Sequence, residues 1–109
     1  MRRIVIVNLA LVGLQAVSAG FLMSGYDYAA AAHQAVAVLL LLGFFIQAVT
    51  AIVLWRRRRL PAQVAGASIG LLVFLLVQVW AGRNREYWLH VPVGVGLVSG
   101  LTRQKSLLE

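Results

Sequence analysis

The chain has no cysteine and only three acidic residues, Asp27, Glu86 and Glu109, against ten basic ones. The missing cysteine excludes disulfides, thiolate metal sites and dithiol redox chemistry. Charged residues make up 12% of the sequence, whereas a soluble domain carries about a quarter. That is too little charge to cover a water-soluble globule of 109 residues. Alternating polar and apolar runs are also missing, which excludes the many short strands of a membrane barrel. Proline is confined to Pro61 and Pro92, so little interrupts a helix.

What is present is apolar. Hydrophobic residues are 61% of the chain, and the mean hydropathy is +0.88. Four apolar stretches predict four helices, over about 4–23, 26–55, 61–82 and 85–102, in a single domain. Crossing the hydrocarbon takes about 20 apolar residues in a helix, and the first three stretches reach that length. The first is longer than the apolar region of a signal peptide. The fourth is short and contains Pro92, which predicts a kink or a late start. Short connections make sequential helices antiparallel neighbours. The expected fold is therefore all-α: an integral membrane, up-down-up-down four-helix bundle, with the lipid bilayer as its main partner.

The basic residues orient this bundle. Arg2 and Arg3 precede the first helix, Arg56 to Arg59 join the second to the third, and Arg103 and Lys105 end the fourth. All eight fall at one end of an up-down-up-down bundle. The positive-inside rule then places both termini in the cytoplasm and the chain in a bacterial cytoplasmic (inner) membrane. With the bases explained by topology, nucleic acid is not an expected partner. Gly66 with Gly70, and Gly96 with Gly100, have the spacing that lets helices approach closely. They serve packing within the bundle or a homodimer through glycine faces.

No Asp, Glu, Lys or Arg lies in the apolar parts of these helices, 4–23, 28–55, 61–81 and 87–101. A cation-coupled transporter usually needs an intramembrane carboxylate, so a small transporter or channel is disfavoured. The ionisable exceptions are His33 and His90, each about two turns into a helix that starts at the same end. In a sequential bundle the second and fourth helices are diagonal, so the two imidazoles can face each other across the core. Two histidines so placed can ligate a haem iron from both faces. Ala29, Ala30 and Ala37 flank His33 on its own face, and Gly94 follows His90, leaving room for a flat cofactor. Leu40 and Phe44 lie deeper on the His33 face. Arg83 and Arg85 precede the His90 helix and suit haem carboxylates. Gln15, Ser18 and Gln78 are candidate partners for the second imidazole nitrogen. Two histidines fall short of the three or four ligands of zinc. They can equally be interfacial hydrogen-bonding residues.

The segment Trp88-Leu89-His90-Val91-Pro92-Val93-Gly94 resembles a pattern in small four-helix membrane proteins of actinobacteria. The histidine placement more loosely resembles haem-binding four-helix membrane proteins, such as one half of haem A synthase and transmembrane cytochromes b. That resemblance implies haem b, with His33 and His90 as axial ligands and also as the metal ligands. It further implies electron transfer to a quinone or a redox partner, or haem handling, without stand-alone catalysis. Gln34 follows His33 and Val91 follows His90, so the synthase's histidine-arginine dipeptide is missing. The alternative is a cofactor-free structural or accessory membrane subunit.

Overall fold

The computed structural model describes all 109 residues. It contains four α-helices and no strands: α1 (Arg2–Met23), α2 (Ala29–Arg56), α3 (Ala62–Arg83) and α4 (Tyr87–Leu107). Helices α1, α2 and α3 are long and apolar enough to cross a membrane. Helix α4 is less apolar because its last turns carry Arg103, Gln104 and Lys105.

The helix boundaries differ from the sequence expectation where polar side chains serve the other end of the turn. Ser24 does not start α2. It is the C-cap of α1, and its Oγ donates to the Gly20 carbonyl. Helix α2 therefore begins at Ala29 rather than near residue 26. Asn84 likewise closes α3, with Nδ2 donating to the Trp80 carbonyl. Glu86 is the N-cap of α4, its carbonyl accepting from Leu89 and His90. Helix α4 runs through Pro92 and continues past residue 102 to Leu107. A proline five positions after the first residue still lies near the start of the helix, where few carbonyls lose a donor.

Helix α1 packs on α2 and α4, and α3 packs on the same two, so α2 and α4 oppose each other across a diagonal. The molecule is elongated, 48 × 22 × 20 Å, and its long axis exceeds the ~30 Å hydrocarbon thickness of a bilayer. Its apolar core is thin: Val5, Val12, Leu40, Phe44, Leu71, Leu75, Leu97 and Leu101. Large apolar side chains also cover the outside, among them Val7, Leu14, Val38, Phe45, Phe74 and Val95. Helices that are apolar all round are buried in a large core or in lipid. A 109-residue chain has no large core to offer.

Polar residues lie inside instead. Asn8, Gln47, Ser68 and Gln104, one from each helix, are each 1% exposed and form a continuous chain. Asn8 Nδ2 donates to Gln47 Oε1 at 2.7 Å, and Gln47 Nε2 donates to Gln104 Oε1 at 2.7 Å. Gln104 Nε2 then donates to Ser68 Oγ at 2.6 Å. The Gln47–Gln104 bond crosses the diagonal. Burial without partners would be costly for four amide or hydroxyl groups, so this layer fixes how the four helices meet.

The two halves of the chain are related. One constant shift along the sequence carries Asn8 onto Ser68, Ser18 onto Gln78 and Gly25 onto Arg85. A second carries His33 onto His90, Gly43 onto Gly100 and Gln47 onto Gln104. Gly25 (φ 94°) and Arg85 (φ 57°) both have left-handed backbones at matching points of their turns. Of the glycine pairs, only Gly100 packs tightly within the bundle, against Leu71. A Cβ at Gly66, Gly70 or Gly96 would meet nothing within 4 Å.

Candidate functional site

His33 and His90 come together across the α2–α4 diagonal. Their ring centroids are 6.4 Å apart, with the planes inclined at 65°. Both side chains are half-buried. They lie one turn inside α2 and α4, at the end opposite the Arg56–Arg59 turn.

Each imidazole is anchored through Nδ1. His90 Nδ1 lies 2.9 Å from the Gln78 carbonyl oxygen on α3. A carbonyl can only accept, so Nδ1 carries the proton, and Nε2 of the neutral ring holds a lone pair. His33 Nδ1 lies 2.9 Å from Ser18 Oγ on α1. Ser18 Oγ in turn donates to the Gln15 carbonyl at 2.9 Å. The hydroxyl also lies 3.2 Å from Gln15 Oε1, so its one proton is shared among these acceptors and the tautomer of His33 sets the direction of the Ser18–Nδ1 bond. Gln15 Nε2 donates to the His33 carbonyl at 2.9 Å and ties α1 to α2 at this level. Ser18 and Gln78 thus hold the two rings, one by side chain and one by backbone.

Packing fixes His90 further. Gly82 on α3 leaves a notch for the ring: a Cβ there would fall 2.7 Å from His90 Cε1. Sequence reasoning missed Gly82, because a lone glycine near a helix end reads as turn chemistry.

The other expected site residues occupy varied places. Ala29 is buried and Ala30 and Ala37 are half-buried on the His33 face of α2, so all three adjoin the layer. Leu40 and Phe44 form part of its apolar floor, 3% and 1% exposed. Gly94 accommodates the Gln78 side chain: a Cβ there would lie 2.9 Å from Gln78 Nε2. Gln78 Oε1 is the one buried side-chain atom left without a hydrogen-bond partner. Such an orphan marks a layer that is not built for stability alone. Arg83 and Arg85 are exposed at the α3–α4 turn, at the histidine end, and neither forms an ion pair.

No family model, curated protein or solved structure matches the chain. The chemistry of the site therefore rests on its own geometry. No cluster of three or more His, Cys, Asp or Glu side chains converges anywhere in the molecule, and the imidazole pair is the one set of donors that meets. One open cleft lies at Trp55–Ala62, and another lies beside Phe74, Pro92, Val93 and Gly96, one turn from His90.

Proposed function

We propose that this chain is a four-pass protein of a bacterial cytoplasmic membrane that binds haem b between His33 and His90. The observation that carries this reading is the imidazole pair that meets across the α2–α4 diagonal, each ring held at Nδ1. A metal held between them would have to take one ring nitrogen from each imidazole. The ring centroids are 6.4 Å apart, which brings the two imidazoles within reach of a shared partner. The small side chains of Ala29, Ala30 and Ala37 limit steric conflict on the α2 side. Arg83 and Arg85 have the charge and exposure to pair with carboxylates at the membrane surface. When bound, haem b would supply a one-electron couple. The chain's part would be to orient both imidazoles through Ser18 and Gln78, to exclude water below the pair with Leu40 and Phe44, and to hold carboxylates with the arginines. Electron transfer with a quinone or redox partner, or haem handling, would follow from such a site.

A cofactor-free accessory subunit is the second reading. It is favoured by the close packing around the rings, where Gly82 already lies against His90 and Gly94 against Gln78. A macrocycle between the rings would have to spread α1 from α3. An absorption spectrum separates the two readings. Protein purified after expression with ample haem is expected to show a six-coordinate, low-spin spectrum. His33→Ala and His90→Ala are each expected to abolish it. A colourless protein, or an unchanged spectrum in the double alanine variant, would decide for the second reading.

A further inference from the structure

The other end of the bundle holds a feature independent of the histidines. At the turn between α2 and α3 lies a shallow, open cleft of about 480 Å³ lined by Trp55, Arg58, Arg59, Leu60, Pro61 and Ala62. We propose that this cleft binds a phosphate group, supplied by the headgroup of an anionic lipid.

The charge argument comes first. Arg58 and Arg59 have no acidic partner. The ion pairs in the molecule are Arg2 and Lys105 with Glu109, and Asp27 and Glu86 lie at the histidine end. An anion for the cleft must come from outside the chain. The guanidinium fork matches phosphate oxygens in geometry and charge.

The turn also separates two arginines from their neighbours. Arg56 ends α2 and Arg57 is its C-cap. At Arg58 the backbone turns left-handed, φ 59°. The turn is closed by Arg58 N donating to the Trp55 carbonyl and Arg59 N to the Leu54 carbonyl. As a result Arg58 and Arg59 line the cleft, whereas Arg56 and Arg57 do not. The four look alike in the sequence and differ only by this turn.

The remaining lining explains why a lipid is the source. Trp55 is 43% exposed, and an indole prefers the boundary between apolar and polar media. Leu60 and Pro61 add apolar surface beside the charges. An amphiphile presents a phosphate next to an apolar body, and this cleft presents the complement. The start of α3 has no side-chain cap, so its positive end adds to the guanidinium field.

The test uses the full chain in neutral detergent, with Trp80→Phe and Trp88→Phe leaving Trp55 as the sole tryptophan. Its fluorescence is followed during titration with short-chain phosphatidylglycerol, short-chain phosphatidylcholine or inorganic phosphate. Phosphatidylglycerol is expected to give a saturating change that phosphatidylcholine does not. Arg58→Gln and Arg59→Gln should each weaken it about tenfold, as loss of a charge-assisted hydrogen bond would. Arg56→Gln and Arg57→Gln should weaken it less than about threefold, as loss of a screened, distant charge would. Equal weakening by all four variants would show a diffuse basic field and overturn the site. Saturation by phosphatidylcholine would overturn the requirement for an anion. Saturation by inorganic phosphate at the same concentrations would overturn the lipid as the source.

Discussion

At the scale of single residues, the glycines separate by what lies opposite them. Gly82 faces a ring that cannot swing aside freely, because His90 Nδ1 is held by the Gln78 carbonyl. Gly82→Ala should therefore displace the imidazole and destabilise the bundle by about 1–3 kcal/mol, the usual effect of overpacking. Gly66 has open space where a Cβ would go. Within one bundle, Gly66→Ala should be neutral or raise stability by up to about 1 kcal/mol, since alanine is the better helix former. Denaturation midpoints in a mild detergent measure both. A loss of stability at Gly66 that depends on protein concentration would instead reveal a homodimer through that face.

Elements meet through two polar layers. On α2 and α4 the histidine and the glutamine are separated by the same four turns, about 21 Å at 1.5 Å per residue. The Gln47–Gln104 bond at one level thus sets the rotation that brings His33 and His90 together at the other. Gln47 sits mid-chain, accepting from Asn8 and donating to Gln104. Gln47→Leu leaves a buried donor and a buried acceptor unpaired and should cost about 1–3 kcal/mol. Ser68→Ala removes only a terminal acceptor, and Gln104 Nε2 keeps the Val64 carbonyl at 3.4 Å. Its cost should stay under about 1 kcal/mol. Gln47→Leu combined with Gln104→Leu should cost less than the sum of the two single changes, because they break a shared bond. Additive losses in a double-mutant cycle would show that the chain is not one network.

For the whole molecule, charge and shape concern orientation. Eight basic residues lie at the Arg56–Arg59 end, while Arg83 and Arg85 lie at the histidine end. With the basic end cytoplasmic, an impermeant thiol reagent added outside intact cells should label Arg83→Cys and spare Arg57→Cys. The native chain has no cysteine, so each variant reports one position. The reverse pattern would invert the bundle and put the imidazole pair near the cytoplasmic surface.

The amino-acid sequence determined that four helices form, because apolar runs of this length leave no other way to satisfy the backbone in an apolar medium. It also determined which end is basic, and that His33 and His90 lie at similar depth, since both follow short turns at the same end. Helix ends were less legible. Ser24 and Asn84 can cap either neighbouring helix, and only the path of the turn decides that each closes the helix before it. Of the amide layer, only Gln47 lies deep inside an apolar stretch. Asn8, Ser68 and Gln104 lie near helix ends, where polar residues normally face water, so their meeting depended on helix rotation. Tertiary structure alone decided that Ser18 and the Gln78 carbonyl anchor the rings, that Gly94 accommodates Gln78, and that Gly82 makes space for His90. Each of these joins two helices, and a single sequence carries no record of which faces of two helices will touch.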